Sequence, residues 1–132
     1  MLELNCVLSP GAKLPNRNQD VEAGIDLYAY ILESNKPSSI TILPNQVVTI
    51  NTGVIVKISQ GFAGLVFNTD QQASRGIQLI QGVGLISSNY RQPIQVSVKN
   101  VSDKAHVIYW GDIIAKLVIQ TAFLPKIILA KD

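Results

Sequence analysis

Apolar and polar residues alternate with a period of two along much of this chain. Ile94-Gln95-Val96-Ser97-Val98 is the clearest run, and it predicts a strand with one buried face. Val47-Val48-Thr49-Ile50 and Gly53-Val54-Ile55-Val56-Lys57-Ile58 are β-branched runs bounded by Pro44-Asn45 and Gly61, a punctuation that predicts two more strands. Gly64-Leu65-Val66-Phe67 and Ile77-Gln78-Leu79-Ile80 repeat the theme. Ile113 to Ile119 is short enough for helix or strand, and its β-branched content assigns it to a strand. No segment sustains a helical period over three turns. Glu33 to Ser39 has the composition of a surface loop. Short strands about ten residues apart, separated by Gly, Asn, Asp and Pro, predict an all-β barrel or jelly roll.

The chain has 132 residues, 47% of them apolar. That is enough for one buried core and too little for two, so residues 1–132 are expected to form one domain, with no linker or repeat dividing it. No apolar run reaches the length of a membrane span and the start lacks the pattern of a secretory signal, so no membrane partner is expected. A net charge of +2 without a Lys/Arg run gives no support to nucleic-acid binding. The single Cys6 cannot pair within the chain, which fits a reducing, cytoplasmic compartment. Its apolar, alternating surroundings predict a structural thiol rather than a nucleophile. The one histidine, His106, precedes an apolar strand and reads as a packed or surface residue. No His/Cys/Asp cluster has metal-ligand spacing, and no phosphate loop or dinucleotide fingerprint occurs.

Three segments carry more than pattern: Ala23-Gly24-Ile25-Asp26-Leu27-Tyr28-Ala29, Gly84-Leu85-Ile86-Ser87-Ser88-Asn89-Tyr90-Arg91 and Gly111-Asp112-Ile113-Ile114-Ala115-Lys116-Leu117-Val118-Ile119. With Leu8 to Pro15, Pro44, Thr52-Gly53 and Gly61 to Gly64 between them, they resemble the trimeric dUTPase family in order and spacing, from about Leu4 to Leu129. The resemblance implies a dUTPase-like β-barrel or jelly roll (a β-clip) that assembles as a homotrimer with sites at subunit interfaces. It also implies a reaction, attack of water on the α-phosphate of dUTP to give dUMP and pyrophosphate, with Mg²⁺ on the triphosphate. Such chemistry needs a carboxylate for the water and donors around the phosphates.

Carried over position by position, the resemblance is uneven. Asp26 stands where the first motif has its Asp, close to water and metal. The second motif, normally Pro-Arg-Ser, falls on Phe67, Asn68 and Thr69, which keeps an amide and a hydroxyl but no positive charge. Arg75 lies nearby and could supply that charge, or could be a solvated loop residue. In the third motif Gly84, Ile86, Tyr90 and Arg91 fit, with Tyr90 placed to pack on a sugar and Gln81 in place of the uracil-reading Asn. Ser87 replaces the catalytic Asp, and no Asp, Glu or His lies between Asp70 and Asp103. The motif's closing Gly-Glu becomes Gln92-Pro93. In the fourth motif Gly111 and Asp112 match, whereas Ile113 and Lys116 take the Arg and Gln positions. The fifth motif, a Gly-rich arm, is not found before the sequence ends at Lys131-Asp132.

A hydroxyl at position 87 is no general base at neutral pH, and a positioned base contributes roughly a hundred- to ten-thousand-fold. The expectation from sequence is therefore a dUTPase-fold protein without hydrolysis, retained for binding a nucleotide or a protein, as in degenerate dUTPase-like viral proteins. Gln81, Gly84 and Tyr90 would then hold base and sugar, and Asn68, Thr69 and Arg75 the phosphates. One alternative is a divergent dUTPase with a relocated acid, Asp26, Asp70 or an acid of a neighbouring subunit, and with Arg75 or Lys116 on the phosphates. The other is a structural trimer whose pocket around Tyr90 is filled by apolar side chains.

Overall fold

Thirteen strands and one short helix follow one another in the computed structural model, which describes residues 3–131. The strands are β1 (Asn5–Leu8), β2 (Ile25–Tyr28), β3 (Leu32–Glu33), β4 (Lys36–Pro37), β5 (Ser39–Ile42), β6 (Val47–Asn51) and β7 (Val54–Lys57). After them come β8 (Phe62–Phe67), helix α1 (Asp70–Ser74), β9 (Ile77–Leu79), β10 (Gly84–Ile86), β11 (Gln95–Asn100), β12 (His106–Tyr109) and β13 (Ile113–Thr121). Every alternating or β-branched run singled out in the sequence lies on a strand, Ile113 to Ile119 included. The Asp132 named at the end of the sequence lies outside the described residues.

Pairing is antiparallel and mostly between strands far apart in the chain. One sheet has the order β10-β8-β13-β2, another β6-β11-β9, and β1-β7, β12-β5 and β3-β4 form pairs. Because side chains alternate across a strand, one face of strands such as β6 and β11 feeds a common interior. Val96 and Val98 of β11, Val48 and Ile50 of β6, and Ile42, Ile108, Leu27 and Leu117 are all buried there. This is the jelly-roll arrangement expected of short strands that close over a single core.

Two details depart from the sequence reading. Glu33 to Ser39 is a tight hairpin rather than an open loop: β3 pairs with β4, and Ser34 and Asn35 both take positive φ (52° and 61°). Two successive left-handed residues are what a two-residue hairpin turn needs to match strand twist. Helix α1 was not foreseen, because five residues are too few to show a period. It is set by its cap, since the Thr69 hydroxyl oxygen accepts the backbone N–H of Gln72 at 3.0 Å. Cys6 is half-buried against the core, and burial pushes its thiol above the usual range, the state of a structural cysteine.

Candidate functional site

The chain leaves β9 at Leu79, reverses through Gly82 (φ +73°) and returns as β10, which pairs with β8 so that Gly84 lies opposite Val66. Between this hairpin and the start of β11 is an open cavity of about 320 Å³. Val66, Leu79, Ile86, Ile94 and Val96 supply apolar wall, and Gln81, Gly84, Tyr90 and Gln95 supply polar groups. Tyr90 is 40% exposed, and its hydroxyl donates to the Pro93 carbonyl at 3.4 Å, so the ring borders the cavity instead of filling the barrel. The lining has no ionisable carboxylate, amine or guanidinium. Such a surface suits a neutral, flat, partly apolar ligand whose edge meets amide donors and acceptors.

Gln81, Gly84 and Tyr90 are thus brought together, as the sequence expects. Gln95 was missed: its alternation marks it as outward-facing on β11, but only the β9–β10 hairpin turns that outward position into a cavity wall. Ser87 follows β10, is exposed, and faces a different, open groove shared with Ser88, Asn89, Arg91 and Leu124.

Asn68, Thr69 and Arg75 do not line the cavity. Thr69 caps α1. The Asn68 amide donates to the Ile77 carbonyl at 2.9 Å and leaves its own oxygen buried without a partner, an acceptor that calls for a donor rather than a phosphate oxygen. The Arg75 guanidinium donates to Gln72 Oε1 at 3.3 Å and to the Val107 carbonyl at 3.2 Å, and stands 3.5 Å from His106 Nδ1. It ties α1 to β12. His106 is half-buried in that contact, with Nε2 3.0 Å from the Ser102 hydroxyl.

A second group of charges lies on the sheet itself. Asp26 of β2 and Lys116 of β13 are cross-strand neighbours, and the Lys116 ammonium bonds Asp26 Oδ1 at 2.9 Å. Asp26 is 6% exposed. That bond to Asp26 raises the Lys116 amine above its ordinary range; burial opposes it, and attraction to Asp26, Glu22 and Asp70 adds to it. Tyr28, two residues along the same face, has its phenol raised by burial first and then by the Asp26 charge, with Lys116 acting the other way. The Lys13 ammonium sits 4.1 Å from the centre of the Tyr28 ring. Asp70, the first residue of α1, is exposed.

The family model of the dUTPases matches residues 11–131. This chain belongs to the dUTPase family. It is 32% identical over 123 residues to the deoxyuridine 5'-triphosphate nucleotidohydrolase of Mycobacterium tuberculosis H37Rv, covering 92% of this chain and 75% of that protein. The enzyme of the same name from Mycolicibacterium vanbaalenii is 32% identical over 117 residues, 87% and 71% of the two chains. Among solved structures, a dUTPase of Staphylococcus bacteriophage 80alpha superposes with a TM-score of 0.86 at 20% identity, over 100% of this chain and 98% of that one. A dUTPase of phage phi11 of S. aureus, in which a structural Mg(II) ion is described, gives 0.86 at 21% identity, over 99% and 98%. At such identities the phage structures establish the dUTPase jelly roll and nothing finer.

The family implies Mg²⁺, and the residues of this dUTPase-family chain do not fit a metal at Asp26. The carboxylate oxygen in question is buried without a hydrogen-bond partner, and the Lys116 ammonium 2.9 Å away is its ion-pair partner. Among the described residues, no three His, Cys, Asp or Glu side chains stand close enough to share an ion. Nor is any helix among them long and apolar enough to cross a membrane.

Proposed function

We propose that the 320 Å³ cavity binds the nucleoside of a deoxynucleotide, with dUTP as the ligand the relatives' names point to, and that the chain is a divergent dUTP hydrolase. The observation that carries binding is the cavity itself, open, uncharged and bordered by Gln81, Gly84 and Tyr90 on one hairpin. It weighs against a purely structural trimer, whose pocket would be filled. Hydrolysis requires a carboxylate to take a proton from water as it attacks the α-phosphorus, with pyrophosphate leaving. Ser87 cannot do this and Asp26 is held by Lys116, so Asp70, exposed and attracted to the same ammonium, is the acid we assign. Mg²⁺ would arrive on the triphosphate, as part of the substrate.

A second reading, binding without turnover, rests on Ser87 and on the loss of the second motif's Arg at Asn68. It would suit a protein that meets other proteins, as do phage dUTPases described as controlling transfer of virulence genes. Phosphorus NMR of the protein with Mg²⁺ and dUTP separates the two. The expected result is slow release of pyrophosphate, reduced about tenfold or more by Asp70→Asn. Intact dUTP with shifted or broadened phosphate signals would establish the second reading, and unchanged spectra would remove nucleotide binding altogether.

Assembly as a homotrimer is part of the same proposal. After β13 the chain runs on without regular structure, and Phe123, Leu124, Ile127, Ile128 and Leu129 are each between 71% and 95% exposed. Five such side chains in one segment exceed the scattered apolar surface of an ordinary monomer and call for a covering surface. Sedimentation equilibrium is expected to give three times the 14.3 kDa chain mass. A monomer at micromolar concentration would refute the assembly.

A further inference from the structure

We infer that the cavity reads its base through two unanchored side-chain amides, Gln81 and Gln95, and therefore takes cytosine as readily as uracil. The inference rests on the nucleoside binding proposed above and specifies which bases that site accepts.

The two residues stand at one fork in the chain. The Ile80 N–H donates to the Ser97 carbonyl at 3.0 Å, and with the next residue the chain leaves β11 for the hairpin. Gln81 therefore starts on one side of the fork and Gln95, two residues before Ser97, on the other, and both line the cavity. The backbone around each is held. Ile94 donates its N–H to the Val54 carbonyl at 2.8 Å, and its own carbonyl accepts the Thr52 N–H at 3.0 Å and the Thr52 hydroxyl at 2.8 Å. The Gln81 carbonyl accepts the Val83 N–H at 2.9 Å. The side-chain amides are free. Gln72 shows the opposite case: its Nε2 donates to the Ile113 carbonyl at 3.1 Å and its Oε1 accepts from Arg75 at 3.3 Å, which leaves that amide one orientation. Gln81 and Gln95 are exposed, and neither side-chain amide has a hydrogen-bond partner among the described residues.

That difference decides selectivity. A carboxamide offers a donor and an acceptor side by side. Uracil presents an acceptor at O4 next to a donor at N3; cytosine presents the reverse, a donor at N4 next to an acceptor at N3. A half-turn about the last side-chain bond exchanges the amide's N and O, so one glutamine matches either base. An anchored amide rejects the wrong base because the half-turn would strand groups already bonded to it. An unanchored one strands nothing. The lining holds no charged side chain that would favour one base edge over the other.

The test is isothermal titration calorimetry in the presence of Mg²⁺ with three probes. Two are the α,β-imido analogues of dUTP and dCTP, whose bridging nitrogen resists cleavage, and the third is inorganic tripolyphosphate. The wild type is expected to bind the two analogues within about tenfold of each other, and both tighter than tripolyphosphate by about tenfold or more. Gln81→Leu and Gln95→Leu, checked for folding by circular dichroism, are each expected to weaken both analogues about two- to tenfold and by the same factor. Three results would overturn the inference and leave nucleoside binding intact: a preference of about tenfold or more for either base, a variant that loses only one base, or a folded variant that binds both as the wild type does. Tripolyphosphate bound as tightly as the analogues would show that no base is read, and would refute the inference and the nucleoside site together. Absence of binding by all three probes would do the same.

Discussion

A Ser87→Asp chain is expected to release pyrophosphate from dUTP roughly a hundred- to ten-thousand-fold faster than the wild type. Position 87 is exposed, and its carbonyl already accepts the Tyr90 backbone N–H at 3.0 Å, so the turn does not depend on the side chain. A carboxylate placed there is solvated and ionised at neutral pH. The segment from 71 to 102 has no acid to repel it, and Arg91 borders the same groove. Serine fails at the task for an elementary reason: its hydroxyl is not ionised at pH 7, and a neutral hydroxyl oxygen is too weak a base to take a proton from water. The rate is read by phosphorus NMR and compared with Ser87→Asp/Asp70→Asn. If the gain survives in the double variant, position 87 alone activates the water. No gain in the single variant would mean that this position does not reach the attacking water and that Ser87 is not what limits hydrolysis.

The largest loss of stability is expected from Gly53→Ala. Gly53 turns the chain from β6 into β7 at φ +67°, and an added Cβ would lie 2.7 Å from Ala12 Cβ and 2.9 Å from Tyr30 Cγ. Neither neighbour is free to yield. Tyr30 is anchored by its hydroxyl to the Pro10 carbonyl at 2.6 Å, and the Ser9 N–H donates to the Gly53 carbonyl at 2.8 Å. The left-handed backbone costs about 1–2 kcal/mol for a residue with a Cβ, and overpacking about 1–3 kcal/mol more. Together these predict about 2–5 kcal/mol, a fall in Tm of roughly 10 °C or more. Gly61→Ala is the control, since Gly61 has φ +91° but nothing within 4 Å of the new methyl group. Thermal melts showing equal losses for the two would refute the steric part.

Much of this protein is legible in the chain itself. Alternation in Ile94 to Val98 and the β-branched runs from Val47 to Ile58 specify strands because side-chain burial with period two is a local property. Asp26, Gly84, Tyr90 and Gly111 at their spacings specify the family, and Ser87 marks a departure from its third motif, since residue identity needs no coordinates. What the chain could not disclose is which side chains face one another across strands distant in sequence. Gln95 joins Gln81 only because β11 runs past the β9–β10 hairpin. Arg75, a plausible phosphate ligand by position, is drawn to Val107 and His106 by the packing of α1 on β12. Asp26 and Lys116, ninety positions apart, become an ion pair through the register of β2 on β13. Antiparallel pairing of remote strands sets such contacts, and that pairing is decided by the closure of the whole core, so the fold and family could be read from the sequence while the engagement of each charge could not.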